Sequence, residues 1–124
     1  MRVLMVEDSK PMQCVLAELL NSLGDFEVVA AATTELSATA WVESHPHGWN
    51  LATLDLLLSD GSGFNLISRC RAQAPEAKIV IFSAFVTPAI DSKCRQMGAD
   101  AVIVKSDIQA LAAFCGQLTA TGAG

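Results

Sequence analysis

Residues 51–63 have the sequence Leu51-Ala-Thr-Leu-Asp55-Leu-Leu-Leu-Ser-Asp60-Gly-Ser-Gly63, an apolar run that reaches one aspartate and continues into a glycine-containing loop. The continuous apolar run before Asp55 is typical of a strand that is buried on both faces. Because burial of an unpaired charge is unfavourable, a carboxylate in such a place usually has a cation, a charged partner or a reaction. The stretch therefore predicts a buried strand that carries a functional aspartate to the mouth of a loop.

The rest of the chain alternates between short apolar runs and segments of helical periodicity. The predicted strands are residues 3–6, 26–31, 51–55, 79–82 and 101–104, and a predicted helix follows each of them. Such alternation favours a parallel sheet with right-handed crossovers and helices on both faces. We therefore predict an α/β fold of the flavodoxin-like (βα)5 type, a three-layer sandwich whose five-stranded parallel sheet has the order 2-1-3-4-5. The domain is predicted to span residues 1–118, with a C-terminal tail at 119–124.

Helix starts and inward faces are predicted from capping residues and apolar spacing. Ser9, Ser62 and Thr87 are placed to cap the first, third and fourth helices. Ser106 is placed to open a capping box with Gln109 at the fifth. The inward residues expected on the first two helices are Met12, Val15, Leu16, Leu19, Leu20 and Leu23, and then Leu36, Ala40 and Trp41.

The composition excludes several classes of protein. With 52% hydrophobic and only 17% charged residues among 124, the chain is not intrinsically disordered. It contains no apolar run approaching the about 20 residues of a membrane helix, and its start does not match a signal peptide, so we predict a cytoplasmic protein without membrane association. The net charge of −5 argues against direct nucleic-acid binding, which needs a basic surface.

Cysteine, histidine and tryptophan residues are interpreted as structural. The absence of a CxxC pair favours buried, reduced thiols for the four cysteines on predicted helices, Cys14, Cys70, Cys94 and Cys115. His45 and His47 are assigned to a solvated loop, because two histidines do not complete a metal site. Trp41 and Trp49 are expected to pack at a helix face and at a strand entry.

Polar residues follow four of the five predicted strands. Glu7 and Asp8 follow the first, Asp55 ends the third, Ser83 follows the fourth and Lys105 follows the fifth. The carboxyl ends of parallel strands meet at one edge of the sheet, where the crevice of this fold lies, so we expect these side chains to converge. Three clustered carboxylates would repel each other unless a cation joined them, and Mg²⁺ suits an oxygen-ligand site. A lysine and a hydroxyl suit a phosphoryl group, towards which a carboxylate can itself be the nucleophile.

At these positions the chain resembles the receiver domain of two-component response regulators, the CheY-like domain. The resemblance covers nearly all of residues 1–118. It is carried by Val6-Glu7-Asp8, Leu54-Asp55-Leu56, Asp60-Gly61-Ser62-Gly63, Ser83-Ala84, Gly98-Ala99-Asp100-Ala101 and Lys105. Each motif alone is weakly informative, whereas all of them in this order, each after the appropriate strand, are highly specific.

The resemblance implies a role for each residue of the predicted crevice. Asp55 would accept a phosphoryl group from the phosphohistidine of a histidine kinase, and Lys105 and Ser83 would contact the phosphoryl oxygens. The Mg²⁺ site would consist of Glu7 (through a metal-bound water), Asp8, Asp55 and the backbone carbonyl of Leu57.

The resemblance also implies how the signal leaves the domain. Movement of Ser83 towards the phosphoryl group would shift a partner-binding surface made by helix four, strand five and helix five, at Ser83, Ala84, Phe85 and Val102. The implied partners are a sensor histidine kinase or phosphotransfer protein, and a downstream protein or a detached output domain. A phosphorylation-dependent homodimer through the same surface is implied by analogy alone. Such a domain is a signalling module rather than an enzyme with an outside substrate, and it catalyses only its own phosphorylation and dephosphorylation.

Four positions distinguish this chain within the family pattern. Val102 occupies the place of an aromatic switch residue, so it stays open whether this chain has the coupled movement of a serine and an aromatic ring. Ser106 stands where a proline often follows the lysine, so we predict a trans Lys105–Ser106 bond, because a non-proline cis bond costs about 3 kcal/mol. Leu57 and Phe85 are apolar beside the path of an attacking water, and we hypothesise that they slow dephosphorylation.

Three other functions fit parts of the pattern. A phosphatase of the haloacid-dehalogenase type would need a second aspartate where the chain has Leu57. A flavodoxin-like electron carrier would need a phosphate-binding loop after the first strand, where Glu7 and Asp8 would repel an FMN phosphate. A pseudo-receiver that binds partners without phosphorylation stays open because of Val102, although the acids, the serine and the lysine are intact.

Overall fold

Five strands alternate with five helices in the computed structural model, which describes residues 1–120, with side chains described through Leu118. The strands are β1 (Arg2–Val6), β2 (Glu27–Ala32), β3 (Leu51–Leu54), β4 (Lys78–Ser83) and β5 (Ala101–Val104). The helices are α1 (Lys10–Leu23), α2 (Glu35–Ser44), α3 (Gly63–Gln73), α4 (Pro88–Met97) and α5 (Ile108–Ala120). The predicted order of elements is confirmed, and residues 121–124 of the predicted tail lie outside the described residues.

The strands form one parallel sheet with the order β2-β1-β3-β4-β5, which confirms the predicted flavodoxin-like topology. β3 is the middle strand, with Leu54 aligned to Val6 on one side and to Ile81 on the other. All four residues of β3 are buried. Asp55 follows this strand directly, so the fold delivers its carboxylate to the middle of the carboxyl edge of the sheet.

Helices cover the sheet on both faces, because alternate residues of the buried strands point to opposite sides. One face is covered by α1 and α5, and its core includes Val3, Met5, Leu51, Val80, Phe82 and Ile103 of the strands with Leu16, Leu20, Leu111 and Cys115 of the helices. The other face is covered by α2, α3 and α4, and its core includes Leu4, Val6, Leu54, Ile79 and Ile81 with Val42, Leu66, Ile67 and Cys94. Within residues 1–120, no helix combines the length and the apolar character that crossing a membrane requires.

The inward face predicted for α2 is wrong at Leu36 and Ala40 and confirmed at Trp41, which is half-buried against the core, and that of α1 is wrong at one residue. On α2 the buried residues are Ala38 and Val42, whereas Leu36 is 79% exposed and Ala40 is exposed. Thr34 caps this helix, and Leu36 stands two residues before Ala38, which places it roughly 200° around the helix axis. On α1, Val15 is exposed beside the buried Leu16.

The predicted Ser106 cap of α5 is also wrong, because the turn after β5 takes one more residue. The amide of Asp107 donates to the carbonyl oxygen of Val104 (2.9 Å), and the helix begins only at Ile108. The Asp107 carboxylate then accepts from the amide of Ala110 (3.1 Å). The predicted caps Ser9, Ser62 and Thr87 are confirmed.

Several smaller predictions have mixed outcomes. Cys14 is exposed, which corrects the prediction that all thiols are buried, while Cys70, Cys94 and Cys115 are buried. Trp49 is buried at the entry of β3, and Trp41 stacks on the exposed His45 with ring centroids 4.3 Å apart. The peptide bonds of the described residues include no cis bond, so the predicted trans Lys105–Ser106 bond is confirmed.

Candidate functional site

The residues predicted to share a crevice lie at the carboxyl edge of the sheet. Backbone hydrogen bonds extend the strand pairing to them: the amide of Glu7 donates to Ala32 (2.9 Å), that of Asp55 to Val6 (3.1 Å) and that of Lys105 to Ser83 (2.8 Å). The backbone positions of Glu7, Asp55 and Lys105 are therefore fixed by hydrogen bonds to the neighbouring strands.

Three carboxylates converge at this edge. Glu7, Asp8 and Asp55 each offer one oxygen, and these oxygens lie within 4.8 Å of one another. Glu7 and Asp55 are buried, with 1% and 4% of their surface exposed, and Asp8 is half-buried. A hard cation such as Mg²⁺ takes oxygen ligands and relieves the mutual repulsion of such carboxylates, so the donor set fits the predicted ion.

Lys105 joins two of these acids. Its Nζ lies 2.7 Å from Glu7 Oε1 and 2.8 Å from Asp55 Oδ2. Burial acts to lower the pKa of Lys105, but the hydrogen bonds and negative charges of Asp55 and Glu7 outweigh burial and raise it. The ammonium group therefore stays charged at neutral pH, and it balances one of the three carboxylates.

One oxygen of each acid accepts a hydrogen bond from a backbone amide of the adjoining loops. Ser9 N donates to Glu7 Oε2 (3.0 Å), and Leu57 N donates to Asp55 Oδ1 (3.1 Å). Ser59 N donates to Asp8 Oδ2 (2.6 Å). The loop after β3 thus contacts two of the three acids through its own backbone, so its conformation bears directly on their positions.

Ser83 is the last residue of β4, and its hydroxyl is the one polar group of the predicted set that lacks a partner. Its side chain is fully buried, and its Oγ makes no hydrogen bond among the described residues. A buried hydroxyl without a partner is unfavourable by about 1–3 kcal/mol and calls for an explanation. A phosphoryl oxygen at the crevice is a chemically suitable acceptor for it.

The predicted switch positions differ in burial. Ala84 is exposed and Phe85 is 61% exposed, directly after Ser83. Val102 is half-buried on β5 and packs against the core beneath α2, α3 and α4. Leu57 has the same exposed fraction as Phe85, 61%, and its backbone forms an isolated antiparallel bridge with Ser62.

Sequence reasoning missed Glu35, the first residue of α2. Its Oε1 accepts a hydrogen bond from the amide of Ser62 (2.8 Å), and both of its carboxylate oxygens accept from the side-chain amide of Asn65 (3.2 and 3.3 Å). Glu35 is separated from these partners by 27 and 30 residues, and no motif marks the pairing. Only the packing of α2 beside α3 brings them together.

These contacts give Glu35 a defined pH dependence. The amide of Ser62, and then the side chain of Asn65, lower the pKa of Glu35 below its ordinary value of 4.5. A carboxyl group whose pKa is lowered by folding contributes stability that is present above its unfolded pKa and is lost as the pH falls through the folded pKa. We expect the unfolding free energies of the wild type and Glu35→Gln to differ fully at neutral pH and to converge below pH 4.5. Urea unfolding at several pH values measures this, and a difference that is independent of pH would contradict it.

A protein-family model and curated relatives match the sequence of this chain. The family model for the response regulator receiver domain matches residues 3–114. The chain is 30% identical over 112 residues to the virulence sensor protein BvgS of Bordetella bronchiseptica, covering 85% of this chain and 9% of that protein. It is 24% identical over 105 residues to the response regulator protein VraR of Staphylococcus aureus, covering 85% of this chain and 49% of that protein. The chain thus spans at most about half the length of these relatives.

A solved structure has the same fold. The CheX–CheY–BeF3–Mg²⁺ complex of Borrelia burgdorferi contains a chain that is 25% identical, with a TM-score of 0.78, over 84% of this chain and 77% of that one. The match of the family model extends over nearly the whole length of the five-stranded domain and includes all the clustered acids. This chain therefore belongs to the family of response regulator receiver domains.

Proposed function

We propose that this receiver domain accepts a phosphoryl group on Asp55 in a Mg²⁺-dependent reaction, with a histidine kinase or a phosphotransfer protein as the donor. The observation that carries the proposal is that the buried carboxylates of Asp55 and Glu7 lie beside Asp8 and share the half-buried Lys105, whose Nζ is 2.8 Å from Asp55. The Borrelia CheX–CheY complex, which contains BeF3 and Mg²⁺, supports it by analogy. We propose residues 1–118 as the receiver unit.

Asp55 would act as both nucleophile and Mg²⁺ ligand, and the other groups of the site would serve metal binding or phosphoryl binding. An Oδ of Asp55 attacks phosphorus, the bond from phosphorus to the donor's imidazole nitrogen breaks, and the imidazole leaves. Glu7, Asp8, Asp55 and the Leu57 carbonyl would hold Mg²⁺, which neutralises charge on the transferring group. Lys105 exchanges its contact with Asp55 for a phosphoryl oxygen, and Ser83 Oγ donates to another.

Output would follow from the new partner of Ser83. A buried hydroxyl that gains an acceptor stabilises the backbone position from which it reaches that acceptor. The neighbouring Ala84 and Phe85 are exposed, so movement of Ser83 would alter a surface shared with α4, β5 and α5. We propose that a downstream protein, a detached output domain or a second copy of the domain reads this surface. Val102 would move by side-chain repacking, since it has no ring to rotate.

Incubation of the pure protein with acetyl phosphate tests the proposal. We expect the intact mass to increase by one phosphoryl group when Mg²⁺ is present and to stay unchanged with excess chelator. Absence of an adduct on folded protein, repeated with a phosphorylated histidine kinase as donor, would contradict the proposal and favour a pseudo-receiver.

The exposed leucine beside the acceptor gives an expectation for dephosphorylation. Leu57→Asn would offer an amide that can orient an attacking water, and one hydrogen bond of about 1 kcal/mol corresponds to decay about fivefold faster. The half-life of the phosphorylated protein, followed by intact mass after removal of the donor, measures this. Leu36→Asn replaces another exposed leucine, on α2, and is the control. Decay of Leu57→Asn that is unchanged or slower would reject the idea that Leu57 excludes water.

A further inference from the structure

We infer that Glu35 is a positioning residue for the loop between β3 and α3, and that through this loop it sets the affinity of the acidic cluster for Mg²⁺. The inference rests on the proposed function, because it concerns the same cation site. It adds a residue on a different element, α2, that touches neither the cation nor the phosphoryl group.

Helix α2 contacts the loop between β3 and α3 directly, through Glu35. The Glu35 carboxylate accepts from the Ser62 amide (2.8 Å) and from the side-chain amide of Asn65 (3.2 and 3.3 Å). The Glu35 amide donates to the carbonyl oxygen of Asp60 (3.1 Å). One residue of α2 thus binds the loop through both its backbone and its side chain, on either side of Gly61.

The backbone of the loop at Gly61 lies very close to the side chain of Glu35. Gly61 has φ +93°, and a Cβ added there would lie 2.3 Å from Glu35 Cβ. The loop backbone therefore packs directly on the first residue of α2, which only glycine permits. A loop held this closely has little freedom to take another path while Glu35 keeps its hydrogen bonds.

Ser62, which Glu35 binds, is connected through the loop backbone to the acids of the cation site. Ser62 is paired with Leu57 in an antiparallel bridge, so fixing Ser62 also fixes Leu57. Leu57 N donates to Asp55 Oδ1 (3.1 Å), and Ser59 N donates to Asp8 Oδ2 (2.6 Å). The Leu57 carbonyl is the proposed backbone ligand. Glu35 therefore acts on the cation site through Ser62 and Leu57, as outer-shell partners of metal ligands do.

An ion pair between α2 and α3 provides a matched control. Glu43, near the end of α2, pairs with Arg69 of α3 (2.8 Å), and both side chains are about half exposed. This pair also joins α2 to α3, but its hydrogen bond runs between the two helices and includes no atom of the loop. If general packing of α2 on α3 were all that mattered, Glu43→Ala would have the same effect as Glu35→Ala.

Calorimetric titration with MgCl2 of the unphosphorylated protein is the test. We expect Glu35→Ala to weaken Mg²⁺ binding about tenfold, the low end of the range for outer-shell partners, and Glu43→Ala to leave it unchanged. Glu35→Gln keeps one acceptor for Ser62 and should be intermediate. Asn65→Ala removes part of the contact without altering α2, so it decides the matter if Glu35→Ala fails to fold. Hydrogen exchange without Mg²⁺ should speed up at residues 57–62 in Glu35→Ala and not in Glu43→Ala.

The outcomes separate this inference from the proposed function. Equal Mg²⁺ affinity of the wild type, Glu35→Ala and Asn65→Ala, or an equal loss in Glu43→Ala, would overturn the positioning role while leaving phosphorylation of Asp55 intact. Wild-type protein that binds Mg²⁺ but forms no phosphoryl adduct would overturn the proposed function alone. Wild-type protein that does not bind Mg²⁺ at millimolar concentrations would overturn both.

Discussion

Asp55→Asn is expected to remove all phosphoryl incorporation from acetyl phosphate while leaving the fold intact. The substitution is nearly isosteric, but the amide lacks the nucleophilic carboxylate oxygen, and transfer to phosphorus at this position needs that oxygen. It also removes one negative charge from a buried cluster, so the variant should be no less stable than the wild type in the absence of Mg²⁺. Intact-mass measurement gives the first result, and thermal unfolding gives the second.

The loop supplies a matched control for this substitution. Asp60 lies five residues further along the chain, is exposed, and has the same side chain. Asp60→Asn should incorporate one phosphoryl group at the wild-type rate. If Asp55→Asn still formed the Mg²⁺-dependent adduct, or if Asp60→Asn lost it, the assignment of the acceptor would be wrong.

Lys105→Met is expected to destabilise the metal-free protein by about 3 kcal/mol at neutral pH, because it leaves buried carboxylates without their cation. Lys105 lies within 2.8 Å of both Glu7 and Asp55, and both acids are almost fully buried. Methionine has a similar length and apolar stem, so the change tests the charge rather than the packing. For a domain of this size the loss corresponds to a fall in Tm of roughly 10 °C.

Mg²⁺ should restore much of this stability, because an ion that binds only the folded state stabilises it by RT ln(1 + c/Kd), where c is the free Mg²⁺ concentration. The rise in Tm on adding Mg²⁺ should be larger for Lys105→Met than for the wild type, since the lysine no longer competes for Glu7 and Asp55. Lys78→Met removes the same charge at the opposite end of the sheet and is the control. A Lys105→Met protein as stable as the wild type without Mg²⁺ would contradict the view that this lysine balances the buried acids.

The parts of the structure that were predictable from the sequence are those set by local pattern. Strands buried on both faces are continuous apolar runs, so β1, β3, β4 and β5 stood out within one residue of their observed bounds. The topology then places the ends of parallel strands at one edge. This is why Asp55 and Lys105, 50 residues apart, were expected to meet, and they do, at 2.8 Å.

The parts that were not predictable depend on contacts between elements. The hydrophobicity of Leu36 predicts an inward position for its side chain. The cap at Thr34 and the packing of Ala38 and Val42 instead fix the rotation of α2, so Leu36 is exposed to solvent. The Glu35 contact with the loop has the same origin, because a carboxylate at the start of a helix is common and its partner is chosen by the position of α3. Tertiary packing decided both features, and it leaves no periodic signal in the sequence.

The most direct test of the central claim is to locate the phosphoryl group. Borohydride reduces an acyl phosphate to an alcohol, so a phosphorylated aspartate becomes homoserine, which peptide mass spectrometry can place in the sequence. After treatment with acetyl phosphate and Mg²⁺, we expect homoserine at position 55 and at no other aspartate, and none when a chelator replaces Mg²⁺. Homoserine at another position, labelling that is independent of Mg²⁺, or no labelling of folded protein would contradict the assignment of Asp55 as the phosphoryl acceptor.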